Sequence, residues 1–338
     1  METKLIVGVV GLSMGRHHLK AALNYGAEIA AVCDLNPETM RHEAEANGIP
    51  AEKCHTDWRE LVGIEKMNVV ILATPDQLHR EMIEAFLAAG KHVMCEKPLA
   101  LTREDLCAIV SAAEKSGRTF MVGQICHFTD AFIKAKEIVD AGTIGELYYV
   151  ESEYAHDYAK ILHEWRADPL RHGVVGGGCH AVDLLRWYAG DPVEVFAYGS
   201  HKLLPQVSYD DATIAVLKFP DGVVGKVFVS TGCKRPYTMR TLLYGTKGTI
   251  ICDNTSPTMQ LYTLYENDIS VNPTPQIIDV VVNNHNADKE FAVFADSIVR
   301  DTPVEMDAVQ GAKTVEACLA IVESAKTGKP VQPDYNFT

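Results

Sequence analysis

The first 123 residues alternate short apolar segments with longer segments of helical character, and this alternation constrains the fold more than any other feature. Strands that are joined by helices run parallel, in a sheet that helices cover on both faces. We therefore predict an α/β domain with a parallel sheet over residues 1–123. Its predicted strands cover residues 5–10, 28–33, 69–73, 91–95 and 120–123.

A different pattern follows residue 124, where short segments alternate in polarity or are rich in β-branched residues. Pro220-Asp221-Gly222 joins two of them as a tight turn, because Pro presets φ and Gly accepts positive φ. Such a succession predicts a second α/β domain over residues 124–338, with a large, mostly antiparallel sheet. Its predicted helices are 131–141, 288–300 and 309–327, and its predicted strands are 148–154, 193–198, 213–219, 223–230, 241–245, 248–252 and 260–264.

Length and charge limit the class of protein. A chain of 338 residues exceeds a comfortable single core, which agrees with two domains. The net charge of −14 argues against nucleic acid or an anionic membrane surface as a partner, because both require a basic face. No apolar run approaches the roughly 20 residues of a membrane span, and the first residues do not resemble a signal peptide. We expect a soluble, cytoplasmic protein.

Cysteine and histidine usage points to neither a disulfide framework nor a metal. The nine cysteines are scattered through apolar segments without a C-x-x-C pair, so we expect reduced core thiols. Among the 13 histidines, His17 and His18 are adjacent, and adjacent residues of a helix do not share a face. We predict no metal site.

A glycine-rich turn joins the first predicted strand to the first helix. Backbone amides in such a turn can approach a pyrophosphate at the positive end of the helix. The run from Gly11 to Gly15 is Gly-x-Ser-x-Gly, one residue short of G-x-G-x-x-G, with Ser13 in place of the second glycine. Taken alone, the motif is equally well explained as a tight strand–helix turn without a ligand.

Two further strand ends support a dinucleotide site. Asp34 ends the second predicted strand at about the spacing of a ribose-binding acid, although Asp is also a common turn residue. Leu35 and Asn36 follow it, and because no arginine is present there to hold a 2′-phosphate, NAD is favoured over NADP. Thr74 and Pro75 end another strand and are predicted to line the cofactor crevice.

The predicted strand over residues 91–95 leads directly into Glu96-Lys97-Pro98. Proline cannot donate a ladder hydrogen bond, so it ends the strand and orients the lysine before it. Ligands of open α/β sheets bind outside the carboxyl ends of the strands, which places Lys97 in a functional position. A surface lysine in a turn is the alternative interpretation.

In this order and spacing the motifs resemble the glucose–fructose oxidoreductase / inositol dehydrogenase / rhizopine catabolism (Gfo/Idh/MocA) family over nearly the whole chain. The resemblance implies a Rossmann-like NAD-binding domain, followed by an α/β domain whose large open sheet packs against another subunit in a dimer or tetramer. It rests on the glycine turn and on Asp34, Ala73-Thr74-Pro75, His79, Gly90-Lys91-His92-Val93, Glu96-Lys97-Pro98 and Glu323-Ser324-Ala325-Lys326-Thr327-Gly328. The cofactor contacts that it implies are Gly11, Ser13, Met14, Gly15, Asp34, Thr74, Pro75, His79, Glu96 and Lys97.

A second informative stretch, residues 176–187, places His180 shortly after three glycines and just before an apolar helical stripe. Taken alone, a hydrogen-bonded core histidine is the better interpretation. The resemblance reverses this preference, because the family's catalytic histidine precedes a Leu-Leu helix as His180 does. An imidazole titrates near neutrality and suits removal of a hydroxyl proton during hydride transfer. Lys97 is then implied to orient the hydroxyl and stabilise the developing oxyanion, or to share the proton.

The chain departs from the family at Gly176, where relatives commonly carry an aspartate that completes a Lys/Asp/His set. Either Lys97 and His180 suffice, or another carboxylate enters the site. Asp183 lies one helical turn after His180 and is a candidate to orient it, and Asp157 is a candidate contact for a substrate hydroxyl. The predicted substrate contacts are His127, Tyr154, His156, Asp157, Arg166, Asp183 and Tyr237.

The leading functional hypothesis is an NAD-dependent oxidoreductase that oxidises a secondary hydroxyl of a sugar, glycoside or cyclitol, with C3 of a glucoside as one specific case. A second hypothesis is a glycoside-cleaving enzyme that retains NAD and oxidises its substrate transiently. A third is a non-catalytic regulator that senses a nucleotide. The presence of both Lys97 and His180 disfavours the third hypothesis, and so does the lack of a basic face.

Overall fold

The computed structural model describes residues 4–162, 164–263, 274–283 and 285–337. Contacts within the chain divide it into two compact units. The first contains the chain up to Gln124, together with Asn286–Ala312 and the last residues from Asn336. The second contains Ile125–His285 and Lys313–Tyr335.

The first unit is built on a sheet of six strands, and each neighbouring pair is parallel. The strands are β1 Ile6–Val10, β2 Glu28–Cys33, β3 Cys54–His55, β4 Val69–Leu72, β5 His92–Glu96 and β6 Phe120–Gly123. Their order across the sheet is β3-β2-β1-β4-β5-β6, so the direction of winding changes between β1 and β4. The predicted parallel α/β fold is confirmed. Strand β3 was not predicted, because two residues are too few to form a hydrophobic pattern.

Helices connect these strands, and side chains cap two of them. Asn36 accepts hydrogen bonds from the amides of Glu38 and Thr39, and Thr102 accepts one from the amide of Asp105. The α-helices are α1 Leu12–Tyr25, α2 Pro37–Ala46, α3 Arg59–Val62, α4 His79–Ala88 and α5 Arg103–Ser116. Short 3-10 helices along the whole chain cover Ala51–Lys53, Asp76–Leu78, Ile125–Phe128, Glu164–Ala167, Pro169–Arg171 and Pro220–Gly222.

The second unit contains a large, mostly antiparallel sheet, as predicted. Its order is given by the strand numbers 14-13-12-11-7-10-9-8, and the pair formed by strands 7 and 10 is parallel. The last residue of the predicted strand 260–264 lies outside the described residues. The elements are α6 Asp130–Asp140, β7 Leu147–Ala155, α7 Gly173–Gly176, α8 Cys179–Ala189, β8 Glu194–Ser200, β9 Ala212–Lys218, β10 Val224–Ser230, β11 Thr238–Gly245, β12 Gly248–Asp253, β13 Thr258–Thr263 and β14 Gln276–Asp279.

The second sheet leaves apolar side chains exposed. Along β9, Thr213, Ala215 and Leu217 are buried, whereas Ile214 and Val216 are 41% and 56% exposed. Helix α8 packs on the central strands β7 and β10. An antiparallel sheet with one solvated face normally places polar residues there, so exposed β-branched apolar residues are unusual. The subunit contact that the family resemblance implies for this sheet stays a prediction.

The chain ends with α9 Ala287–Arg300 and α10 Ala308–Thr327. The sequence-based division at residue 123 assigned both helices to the C-terminal domain, whereas the structure places α9 in the first unit. The reason is packing: α9 lies along α1, Phe291 is fully buried, and its ring meets that of Tyr25 edge-on at 5.7 Å.

Within the described residues, no helix combines the length and apolar character that crossing a membrane would require. The same residues contain no group of three or more His, Cys, Asp or Glu side chains that could hold a metal ion. The nine cysteines all lie in the described part of the chain and are free thiols.

Replacing Phe291 with alanine tests the packing of α9. Loss of a fully buried aromatic side chain leaves a cavity, so F291A is expected to lower the free energy of unfolding by about 3–5 kcal/mol. Val293 on the same helix is 39% exposed, and V293A is expected to change it by less than about 0.5 kcal/mol. Denaturant unfolding followed by circular dichroism measures both values. Equal effects of the two variants would contradict the packing described for α9.

Candidate active site

The turn between β1 and α1 brings two backbone segments close together. Gly11 has a φ of +84°, which favours glycine, and a Cβ there would collide with the carbonyl group of Ala73 after β4. A Cβ at Gly15 would lie 3.3 Å from that of Ala73. Ser13 and Met14 are exposed in the first turn of α1, where backbone N–H groups can bind an anion. The short glycine motif therefore still produces a turn that suits a pyrophosphate.

Asp34 follows β2 and is half-buried beside this turn. One carboxylate oxygen accepts the amide hydrogen of Leu12 at 2.7 Å, and the other accepts that of Asn36 at 2.8 Å. The carboxylate therefore holds the first residue of α1. Each carboxylate oxygen has a further lone pair, so Asp34 can also accept hydrogen bonds from ribose hydroxyls. The turn and this acid fit an NAD molecule.

Thr74 and Pro75 follow β4, as predicted, and His79 begins α4. His79 is fully buried, with Nδ1 3.0 Å from the carbonyl oxygen of Pro98 and Nε2 3.2 Å from that of Thr74. These contacts tie the chain after β4 to the chain after β5. His79 therefore positions two strand ends, and its predicted contact with the cofactor stays a prediction.

The Glu96-Lys97-Pro98 segment lies at the end of β5. Glu96 Oε2 accepts the amide hydrogen of Lys97 at 3.2 Å, and Glu96 Oε1 lies 2.8 Å from His18 Nε2. Burial disfavours the charged carboxylate, but the hydrogen bond from His18 and the charges of His18 and Lys97 outweigh it and lower the pKa of Glu96. Lys97 is half-buried, and the Lys97–Pro98 peptide bond is cis. An ionised Glu96 therefore accompanies Lys97 at this strand end.

His18 is a residue of this site that sequence analysis did not select. It is 3% exposed on the buried face of α1, next to Leu19. Burial lowers the pKa of His18, but Glu96 and Glu290 together raise it more. A histidine on the apolar face of an amphipathic helix was the available signal. Sequence analysis considered His18 only as the neighbour of another histidine.

In the second unit, His180 lies in the first turn of α8 and is 2% exposed. Its Nδ1 lies 3.5 Å from Cys126 Sγ, and its ring stacks on that of Tyr154 with the centroids 6.1 Å apart. Cys126 Sγ is also 3.3 Å from Met239 Sδ. The group that faces Nδ1 of His180 is therefore a thiol. Sequence analysis treated this cysteine only as part of the core, where buried cysteines are common.

Asp183 does not orient His180, although the sequence made it a candidate. Its Oδ2 lies 2.8 Å from His127 Nε2, and its Oδ1 accepts the hydroxyl hydrogen of Thr314 at 2.7 Å. Burial disfavours the charged carboxylate, but His127, Arg186 and Thr314 together outweigh burial and lower the pKa of Asp183. The ring of His127 also stacks on Trp187 at 4.0 Å. Two predicted substrate contacts are thus held in one buried His–Asp pair.

The space beside Gly176, where the family resemblance implies an aspartate, contains the side chain of Arg171. A Cβ at Gly176 would lie 2.5 Å from Nη1, 2.8 Å from Cζ and 2.9 Å from the carbonyl oxygen of Arg171. Arg171 is 6% exposed, donates from Nη2 to the Gly176 carbonyl at 3.3 Å, and lies over the ring of Trp165 at 4.9 Å. A guanidinium therefore occupies the place where the family's carboxylate side chain would begin.

Three predicted substrate contacts share one aromatic cluster. The hydroxyl of Tyr154 lies 2.8 Å from that of Tyr158 and 3.2 Å from His156 Nδ1. Tyr237 packs edge-on against Tyr154 with the centroids 5.6 Å apart. Burial raises the pKa of Tyr154 and of Tyr237 well above the usual value, so both keep their hydroxyl protons. Because Tyr154 also stacks on His180, the cluster offers several neutral polar groups beside the imidazole.

The other two predicted substrate contacts, Asp157 and Arg166, each interact with another side chain of the second unit. Asp157 accepts hydrogen bonds from Lys234 at 2.9 Å and from the amide of Ala159 at 3.1 Å, and the bond from Lys234 lowers the pKa of Asp157. Arg166 lies over the ring of Trp165 at 4.3 Å. Their contact with a substrate stays a prediction.

The strand order of the first sheet and its glycine turn define the class of protein, a dinucleotide-binding Rossmann protein. Family comparison agrees with this assignment. The model described as "Oxidoreductase family, NAD-binding Rossmann fold" matches residues 5–124, and the model described as "GFO/IDH/MocA C-terminal domain" matches residues 132–251. Together they cover well over half of the chain, which therefore belongs to the GFO/IDH/MocA family of oxidoreductases. Its cofactor is NAD.

Similar proteins include inositol 2-dehydrogenase of Salmonella typhimurium, 26% identical over 98% of this chain and 99% of that protein. Myo-inositol 2-dehydrogenase of Thermotoga maritima is 29% identical over 78% of this chain and 79% of that protein. The solved structure of levoglucosan dehydrogenase in complex with NADH and levoglucosan is 25% identical, with a TM-score of 0.85 over 98% of this chain and 100% of that one. The family and the fold class predicted from the sequence are confirmed.

Substitution of Gly176 tests whether Arg171 occupies this space. Because a Cβ would overlap both the guanidinium and the backbone of Arg171, G176A is expected to lower the free energy of unfolding by about 1–3 kcal/mol. Gly63 is the control, since its backbone is ordinary and a Cβ there would meet nothing nearer than 3.9 Å. G63A is expected to stay within about 0.5 kcal/mol of the parent protein in chemical unfolding. A G176A variant as stable as G63A would disprove the overlap.

Proposed function

We propose that this protein is an NAD-dependent dehydrogenase that oxidises a secondary hydroxyl of a sugar, glycoside or cyclitol. The position of Lys97 carries the proposal. Strand β5 pairs with β4 in a register that aligns Cys95 with Leu72, so Lys97 follows the sheet at the same edge as the glycine turn and Asp34. Ligands of such sheets bind at this edge, and an amine there is suited to act on a substrate beside the cofactor.

The proposed substrate class is a ring with several hydroxyl groups. Among similar proteins, the names inositol 2-dehydrogenase and levoglucosan dehydrogenase support a cyclic polyol. Within the second unit, Tyr154 stacks on His180, and His156 and Tyr237 contact Tyr154, so this cluster offers hydrogen-bonding groups for recognition of a polyol. Oxidation at C3 of a glucoside is one specific case of this proposal.

The cofactor is proposed to bind along the β1–α1 turn and the neighbouring strand ends. Backbone amides of this turn would hold the pyrophosphate, and the Asp34 carboxylate would accept hydrogen bonds from ribose hydroxyls. We propose that residues 1–123 form the NAD-binding domain, against which α9 packs, and that the rest of residues 124–338 binds the substrate. The proposed contacts are Gly11, Ser13, Met14, Gly15, Asp34, Thr74, Pro75, Glu96 and Lys97.

Bound NAD supplies the hydride acceptor for the carbinol carbon. The chain itself must then deprotonate the hydroxyl and stabilise its oxygen. Because Nδ1 of His180 faces the Cys126 thiol, we propose that Nε2 takes the hydroxyl proton. The ammonium group of Lys97 is proposed to donate a hydrogen bond to the same oxygen and to stabilise its developing negative charge.

A spectrophotometric screen tests this function. Purified protein is mixed with NAD⁺ and with monosaccharides, inositols, levoglucosan or aryl glucosides, and NADH formation is followed by absorbance. We expect NADH in proportion to the polyol oxidised. Removing the proton-handling group in K97M or H180N is expected to lower kcat by about 10²–10⁴-fold. K115M, at an exposed position of α5, is the control with unchanged kcat.

Two results of this screen would contradict the proposal. Unchanged turnover in K97M would remove Lys97 from the reaction. Cleavage of a glycoside without net NADH would favour the NAD-retaining hydrolase, because such an enzyme regenerates its oxidised cofactor in each cycle.

Substitution of Asp34 tests the cofactor site. D34N keeps an acceptor for the Leu12 amide but loses the charge, so the dissociation constant for NADH is expected to rise about tenfold. Discrimination against NADPH is expected to weaken, since the carboxylate no longer repels a 2′-phosphate. Titrations followed by nucleotide fluorescence measure both constants, with the exposed E114Q as control. Equal NADH and NADPH affinities in the parent protein would refute this role of Asp34.

A further inference from the structure

A buried carboxylate of the first unit has no part in the reaction described above. Glu290 lies in the first turn of α9 and is fully buried. Among the described residues, neither of its carboxylate oxygens has a hydrogen-bond partner. A buried carboxylate without hydrogen bonds is costly in its charged form, so its neighbours decide its protonation state.

The side chain that faces Glu290 is His18 on α1. Glu290 Oε2 lies 3.8 Å from His18 Nδ1, a ring nitrogen for which the described residues offer no hydrogen-bond partner. The other ring nitrogen, Nε2, lies 2.8 Å from Glu96 Oε1, and Glu96 Oε2 accepts the amide hydrogen of Lys97 at 3.2 Å. The titratable side chains of Glu290, His18 and Glu96 therefore follow one another from α9 to the end of β5, where Glu96 accepts the backbone amide hydrogen of the half-buried Lys97. We call Glu290, His18, Glu96 and Lys97 the buried proton chain.

We propose that Glu290 is a positioning residue: through His18 it holds the Glu96 carboxylate at the end of β5, and by gaining or losing its proton it sets the charge that Lys97 experiences. The consequence for catalysis depends on the proposed function of Lys97. The contacts and the titration of the four residues do not depend on it, because all four belong to the first unit.

The charges of the chain follow from its surroundings. Burial raises the pKa of Glu290 to about 8, with the Glu96 charge adding to burial and His18 and Lys97 opposing it. Burial lowers the pKa of His18, but the two carboxylates together raise it by more. Burial raises the pKa of Glu96, but His18 and Lys97 together lower it by more. Near neutral pH the chain therefore contains a protonated Glu290 beside a charged His18–Glu96 pair.

Other charged groups on the packed elements are in contact with solvent. In the first turn of α9 these are Asp288 and Lys289, and on α1 they are Arg16, His17 and Lys20, all of which are exposed. Asp296, farther along α9, is partly exposed and forms an ion pair with the exposed Arg300. Strand β6 contributes only backbone at this point, since a Cβ at Gly123 would lie 3.6 Å from Glu290 Oε1. Solvent screens the exposed groups, so the buried members of the chain dominate one another's titration.

Ionisation of Glu290 adds a negative charge to the buried proton chain as the pH rises through about 8. This charge favours the ammonium form of Lys97 and extends it to more alkaline pH. Lys97 would thus keep the ammonium group that its proposed role requires. Without Glu290 the amine loses its proton at lower pH.

The first test measures titration of Glu290 in the NAD-free protein by thermal unfolding. The pKa of Glu290 is raised on folding from about 4.5, so its stabilising contribution is complete at acidic pH and is lost as the pH rises toward about 8. E290Q has no carboxyl group at this position, so it does not lose stability in this way. The Tm of E290Q minus the Tm of the parent protein is therefore expected to rise by roughly 5 °C between pH 5 and pH 8 and to stay constant above pH 8. D288N, on the same helix, is expected to show no such trend.

The second test measures Lys97 directly and needs no substrate. The lysine amines are dimethylated with carbon-13-labelled methyl groups, and their NMR resonances are followed as the pH is changed. The Lys97 resonance is the one that is absent from K97R. Its titration midpoint is expected about one pH unit lower in E290Q than in the parent protein, and unchanged in D288N. E290M, a neutral variant of similar volume, is expected to repeat the result if E290Q folds poorly.

The outcomes separate this proposal from the proposed function. A Tm difference without pH dependence, or a Lys97 midpoint that is equal in E290Q, E290M and the parent protein, would overturn it. Failure of the polyol screen would instead count against the dehydrogenase proposal and leave the buried proton chain supported by these two measurements.

Discussion

Parallel pairing in the first sheet places its functional groups at one edge. The register aligns Val10 with Cys33 and with Leu72, and Leu72 with Cys95. The residues that come next are therefore neighbours: the glycine turn, Asp34, the Thr74 segment and Glu96-Lys97. The contacts of Gly11 with the Ala73 carbonyl group and of Asp34 with the Leu12 amide connect these strand ends directly. Every proposed role of the first unit depends on this register, because a shift of one strand would separate the acid, the turn and the amine.

The second unit distributes its titratable groups differently from the arrangement that the family resemblance implies. Asp183 is bound to His127 and Thr314, and a thiol faces Nδ1 of His180. A thiol is a weaker hydrogen-bond partner than a carboxylate. The Arg171 side chain fills the space beside Gly176. The chain thus combines the family's lysine and histidine with a local environment of its own.

The buried proton chain illustrates how stability and function are linked in the first unit. Burying Glu290 beside α1 costs free energy whenever it is charged, whereas an apolar residue at this buried position would carry no such cost. His18 reduces the cost for Glu96 but leaves Glu290 without a hydrogen bond. A buried group that costs stability and is linked through His18 and Glu96 to a proposed catalytic lysine is explained by function rather than by folding.

The sequence by itself determined the fold class, the strand ends and the family, because these depend on local patterns: apolar segments of strand length, a turn rich in glycine and single residues at fixed spacing. It selected Asp34, Lys97 and His180 for the same reason. It did not reveal that α9 packs against α1, that His79 is a buried link between two strand ends, or that Arg171 fills the space beside Gly176. Nor did it reveal that Cys126 and Glu290 face other titratable groups. Those contacts join residues that are far apart in the chain. Only tertiary packing decides which of them meet, because burial and charge at each position depend on neighbours that no local pattern contains.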